Sequence, residues 1–194
     1  MANNPLNTDF LDRAIVFAVR AHAGTERRGK GYPYIVHPLE AMEIVATMTS
    51  DQHLLAAAVL HDTVEDTDVT VDQIRAEFGE RVADLVAAET DSLESTASAG
   101  KPSDDWHARK QAALDRLERA DREVKIVALG DKLSNMRAIA RDYARQGDAL
   151  WNLFHAKDPR EHAWRYRALA RALKELDGTF AYREFVQLIQ QVFA

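Results

Sequence analysis

Residues 60–68 read LHDTVEDTD, one histidine, His61, among four carboxylates, Asp62, Glu65, Asp66 and Asp68. They follow an apolar run, LLAAAV, at 54–59. Acids near the C-terminus of a helix oppose its dipole and repel one another. A segment serving stability alone would carry Lys or Arg there. On a helical wheel Leu54, Ala58, His61, Asp62 and Glu65 share one face, which begins as core and ends in a histidine and two acids. A second helix-like run, VKIVALGDKLSNMRAIA, does the same. Val124, Val127, Ala128, Asp131, Asn135 and Ala138 form one stripe, with Asp131 on its inward side. An isolated buried carboxylate costs about several kcal/mol even after relaxation, so it needs a cation.

Two inward acid sites on separate helices point to a shared divalent metal, for which carboxylate oxygens and neutral imidazoles are both ordinary ligands. His37 is the best supplier of a second imidazole, because it precedes Pro38, which holds its backbone extended. The structural alternative is open for each residue singly: a His-Asp dipeptide occurs by chance, and Asp131 could pair with Arg137 or cap a helix. The joint occurrence, with Glu65 and Asp66 crowded beside it, favours the metal.

The elements that must position these groups are helical. Gly and Pro are few, and alternating β-branched runs are nearly absent. The pattern predicts helices over about 8–24, from Pro38 with His37 as its cap, over 51–64, from the Thr70/Gln73 capping box to Gly79, and through 82–86. Further helices are expected over 106–119, 123–141, from Asp158-Pro159 to about 176, and over 180–193. GTERRGKGYPY reads as a loop, and 92–105 as an exposed, mobile one. The expected fold class is all-α, a globular bundle forming one domain over 1–194.

With 194 residues, 46% hydrophobic and 29% charged, the chain has the composition of an ordinary globule. No run of 18 apolar residues and no secretory leader pattern is present. The absence of cysteine excludes thiolate chemistry and disulfides. A cytoplasmic location, with no membrane partner, is expected. A net charge of −6 is a poor grip on a nucleic-acid polymer, whereas a small anion needs only a local basic patch. The amphipathic tail is compatible with a homo-oligomer.

RRGKGYPYIVHP (27–38), AAAVLHDTVEDTDVT (56–70), FGERVADLV (78–86) and VKIVALGDKLSNMR (124–137), in that order, make the chain resemble the HD-domain metal-dependent phosphohydrolases. Within them it looks like the RelA/SpoT-type (p)ppGpp hydrolases, in the small alarmone hydrolase subgroup. The resemblance implies an HD-domain helical bundle and hydrolysis of ppGpp and pppGpp to GDP or GTP by removal of the 3′-pyrophosphate. It implies His37, His61, Asp62 and Asp131 as ligands of Mn2+, and Glu65 and Asp66 as the acids that position or activate water. Asn135 is implied at the nucleotide sugar, and Arg28 against the base. Gly29 departs from a second basic residue in many relatives, so Arg27 or Lys30 substitutes. Arg109, Lys110 and Lys132 are further candidates for phosphate contact, and Tyr166 for closure over ribose or base. The rival functions are a phosphatase of another phosphorylated nucleotide such as NADPH and a non-catalytic nucleotide sensor. The plainer alternative for the arginine loop is a solvated surface, and His22, His53, His107, His155 and His162 are expected in surface, capping or supporting roles.

Overall fold

The computed structural model describes residues 7–90, 106–154 and 156–194, apart from the side chains of residues 106, 108 and 109. The expected loop at 92–105 and His155 lie outside these residues, as does the side chain of Arg109. Among the described residues the order is α1 (Asp9–Ala21), α2 (Val36–Ala46), α3 (Gln52–Leu60), α4 (Thr63–Asp66), α5 (Val71–Phe78), α6 (Glu80–Glu89), α7 (Trp106–Arg119), α8 (Arg122–Gln146), α9 (Pro159–Ala172) and α10 (Phe180–Val192). A 3-10 turn at Gly147–Leu153, absent from the sequence pattern, follows α8. The all-α expectation holds. No helix among these residues is long and apolar enough to cross a membrane.

α3 is the hub. Residues 54–60, LLAAAVL, are buried on every side, as a helix apolar all round must be. α1, α2, α6 and α8 surround it. α8, 25 residues long, spans about 37 Å at 1.5 Å per residue and carries α2 along one flank and α10 along another. The approach of α2 is set by Gly130: a Cβ there would stand 2.7 Å from Val45 Cγ2 and 2.8 Å from the Ala41 carbonyl oxygen. Because one of these neighbours is backbone, the helices themselves would have to part. Gly130→Ala is expected to destabilise by about 1–3 kcal/mol, read as a lowered urea midpoint.

Three differences from the sequence pattern shape the site, and α8 also runs on to Gln146, past the expected 141. α2 begins at Val36, so His37 lies inside the first turn rather than capping it. The cause is a tight turn before Pro38, where Pro33 and Tyr34 carbonyls accept from the Val36 and His37 N–H groups. GTERRGKGYPY is a small hairpin rather than a plain loop. Glu26 pairs with Pro33, Arg27 N–H donates to Tyr32 O at 2.9 Å, and Tyr34 N–H donates to Thr25 O at 2.8 Å. Its tip closes from Lys30 N–H to Arg27 O, with Gly29 at φ +70°. That left-handed position explains the glycine where the resemblance expected a second base.

The third difference is the helix predicted over 51–64, which stops at Leu60. His61 Nδ1 takes the Ala58 carbonyl at 2.8 Å, and the Thr63 hydroxyl takes that of Leu60 at 2.7 Å. Side chains thus satisfy carbonyls that a continuing helix would have used.

The start of α3 is capped by Asp51, which accepts from His53 N–H at 2.9 Å and holds Arg81 at 2.7 Å; Arg81 in turn reaches Glu123 at 2.6 Å. Asp51→Ala should cost about 1–2 kcal/mol at neutral pH. Burial acts to raise the Asp51 pKa, but the His53 N–H and Arg81 hold it below its ordinary value. A folded pKa below the unfolded one gives stability that is present above the unfolded value and lost as pH falls through the folded one. The gap between wild type and variant in urea unfolding should therefore close in strong acid.

Candidate active site

α2 brings His37, the end of α3 brings His61 and Asp62, and α8 brings Asp131 to one place. Ligand atoms of His37, His61 and Asp62 lie within 4.8 Å of one another. His37 Nε2 stands 3.1 Å from Asp131 Oδ1 and 3.4 Å from Asp62 Oδ2; His61 Nε2 stands 3.6 and 3.0 Å from the same two oxygens. Both imidazoles are buried.

Their other nitrogens are fixed. His61 Nδ1–H donates to Ala58 O. His37 Nδ1 lies 2.8 Å from Ser134 Oγ, whose own hydroxyl donates to Glu40 Oε2 at 2.7 Å. Because that hydroxyl proton is committed to Glu40, His37 Nδ1 must be the donor. With each Nδ1 committed, Nε2 is the ring atom that faces the same two carboxylates, and it is free to serve as a ligand once its proton is displaced by a cation. His61 Nε2 is buried and makes no well-formed hydrogen bond to any described group, despite its 3.0 Å approach to Asp62. A buried nitrogen without a partner, facing two carboxylates and a second imidazole, fits a divalent metal ion by donor type.

Electrostatics agree with a cation site. Burial opposes ionisation of Asp131, yet Lys132 and the two histidines hold its carboxyl well below the usual range. Asp62 is likewise lowered against its burial, by His61 and His37. Burial would lower the His61 pKa, but Asp62 and Asp131 raise it well above the ordinary value.

A cavity of about 730 Å3 opens on this cluster. His37, Asp62, Asp131, Glu65 and Asp66 line it, the last two exposed at its surface. Arg27, Lys110, Arg116, Arg119, Lys132 and Arg165 line it as well. Arg27 donates to Asn135 Oδ1 at 2.6 Å, and Asn135 Nδ2 donates to Asp131 Oδ1. Lys132 binds both Asp131 and Glu89, whose side chain is 6% exposed and whose pKa burial raises.

Some candidates lie elsewhere. Tyr166 is 7% exposed and packs its ring against Phe185 and Phe193; it does not line the cavity, although the charges of Asp131, Lys132 and Arg27 act on its hydroxyl. Its ring continues the apolar face of α9. Lys30 is ion-paired with Asp142 on α8, and Arg28 is exposed on the hairpin; neither lines the cavity. Asp131 does not pair with Arg137, which grips Glu184 through two bonds of 2.7 and 2.8 Å and reaches Glu40.

Of the histidines given supporting roles, His22 is buried with neither ring nitrogen hydrogen-bonded among the described residues. His107 stacks on Trp164 at 3.8 Å. Sequence reasoning missed Arg116, Arg119, Arg165, Glu89, Ser134, Glu40 and Tyr34. A signal existed for two of them: Glu40 lies three residues after His37, and Ser134 three after Asp131, one turn along the same faces.

An HD domain family profile matches residues 14–159. The chain is 42% identical over 90 residues to the guanosine-3′,5′-bis(diphosphate) 3′-pyrophosphohydrolase of Aquifex aeolicus, covering 46% of this chain and 13% of that protein. It is 33% identical over 131 residues to a GTP pyrophosphokinase of Myxococcus xanthus, covering 68% of this chain and 17% of that protein. The chain thus spans less than a fifth of these relatives. A solved metazoan SpoT ortholog, described as hydrolysing ppGpp, superposes with a TM-score of 0.74 at 21% identity, covering 96% of this chain and 97% of that one, a likeness of fold. With the paired histidines and aspartates gathered beside this cavity and the profile match over residues 14–159, the chain belongs to the HD domain family.

Proposed function

We propose that this chain hydrolyses ppGpp and pppGpp, releasing the 3′-pyrophosphate to give GDP or GTP, with Mn2+ as its ion. The observation that carries the reading is the pair of imidazoles whose Nδ1 atoms are tied down and whose Nε2 atoms face Asp62 and Asp131. In this reading His37, His61, Asp62 and Asp131 hold the ion. Bound there, a divalent cation supplies positive charge to a phosphoryl oxygen and lowers the pKa of water. The hydrolase name of one relative and the cationic lining of the cavity support the substrate class.

The chain's own residues have separable tasks. Glu65 and Asp66, on the turn after the ligands, orient the attacking water and take its proton as its oxygen bonds to phosphorus. The bond from phosphorus to the ribose 3′ oxygen breaks, and that oxygen leaves with the proton that the acid pair took from the water. Arg27, Lys110, Lys132 and Arg165 offset the charge of the phosphates, and Asn135 is placed for the sugar. Lys110 is a phosphate candidate from the sequence, and Arg165 joins it on the cavity wall, where Lys30 does not reach.

The test is turnover by metal-stripped protein of ppGpp, with and without Mn2+, and of NADPH in parallel. GDP and pyrophosphate are expected only with Mn2+. NADPH dephosphorylation without ppGpp turnover would transfer the function to the rival phosphatase, and nucleotide binding without any turnover would make it a sensor.

A further inference from the structure

Tyr34 stands where the parts of the site meet, and the reaction above assigns it nothing. Its hydroxyl donates to Asp62 Oδ2 at 2.6 Å, the same oxygen that lies within reach of both imidazole Nε2 atoms. Asp66 acts on the same phenol. The ring carries the Arg27 guanidinium 5.2 Å from its centre, and it meets His22 at 4.9 Å and His37 edge-on at 5.9 Å.

We propose that Tyr34 is a positioning residue that fixes the Asp62 carboxylate for the ion and holds Arg27 over the cavity for the substrate. This rests on the metal-site reading above. The terminal torsion of an aspartate is broad, so its carboxylate plane is set by what it bonds. A hydroxyl donating to an ionised carboxylate is among the stronger and shorter hydrogen bonds, and it fixes that plane. The guanidinium on the ring face gains a cation–π contact while its Nη2 holds Asn135, so the hairpin and α8 are joined through the same aromatic. One side chain thus couples the geometry of a ligand to the place of a substrate contact.

Two variants separate the hydroxyl from the ring. Tyr34→Phe keeps the platform and loses the donor. Tyr34→Leu loses both. Mn2+ affinity, read from the free-ion paramagnetic resonance signal, should fall about tenfold or more in both, the usual scale for a lost outer partner of a ligand. At saturating Mn2+, Tyr34→Phe should lower kcat for ppGpp with KM unchanged, whereas Tyr34→Leu should also raise KM about two- to fivefold. The metal-free urea midpoint of Tyr34→Phe should fall by about what one charged hydrogen bond contributes, whereas the split between kcat and KM is what a merely structural tyrosine would not produce. If wild type binds Mn2+ and Tyr34→Phe binds it equally tightly, the proposal falls while the metal site stands. Equal KM values for the two variants overturn the Arg27 part, and a wild type that binds no Mn2+ ends both readings.

Discussion

Asp62→Ala is expected to abolish turnover, with a loss on the order of a thousandfold, the scale of a removed electrostatic contact at a reacting phosphate. The residue does more than supply one oxygen. Its Oδ2 lies 3.0 Å from His61 Nε2 and 3.4 Å from His37 Nε2, and it accepts from Tyr34. Its removal leaves Asp131, among the described carboxylates, to face both imidazoles, and it takes the acceptor from a half-buried phenol. Mn2+ binding should weaken together with the rate, and raising Mn2+ should not restore wild-type kcat. Asp62→Asn is the control for shape: it preserves volume and one oxygen but loses the charge, and it should be nearly as inactive. Steady-state rates with ppGpp and a parallel Mn2+ titration check both expectations. Full activity in Asp62→Ala would remove the residue from the chemistry.

Glu65→Ala should separate rate from binding. Glu65 lines the cavity but is exposed, and it lies on the short helix after the ligands rather than among them. Loss of a positioned acid–base group costs about a hundred- to ten-thousandfold in rate. The expected result is therefore a slow enzyme that still binds Mn2+ with wild-type affinity. Asp66→Ala measures the share carried by its neighbour. If Glu65→Ala strips the ion, its role as a water-handling acid is wrong and it belongs with the ligands.

Much of the local architecture was legible in the sequence. The Thr70/Gln73 capping box closes as the spacing requires, with Thr70 Oγ1 and the Gln73 side chain each taking the other's backbone N–H. Asp158 caps α9 and Pro159 opens it. The stripe Val124, Val127, Ala128, Asp131 does face inward, leaving Asp131 7% exposed. Other features were hidden because their causes are not local. The break after Leu60 depends on side chains that take carbonyls, and the hairpin at 25–34 is held by only one bridge, too short to leave an alternating pattern. Lys30 and Tyr166 belong to types that suit a nucleotide site, yet one meets Asp142 and the other meets Phe185.

The sequence by itself determined the helical character of the described residues, the residue types with which an ion could be held, and the burial of the helix faces that carry them. These follow from periodicity and capping, which act over a few residues. The tertiary structure decided which atoms meet. Arg27 reaches Asn135 across 108 positions, Ser134 joins His37 to Glu40, and the absence of a side chain at Gly130 lets α2 come close enough to α8 for His37 to face Asp131. Periodicity states which side of a helix is buried but not what lies against it. That choice is made by packing among helices far apart in sequence, and it places Arg165 and Lys110 rather than Arg28 and Lys30 on the cavity wall.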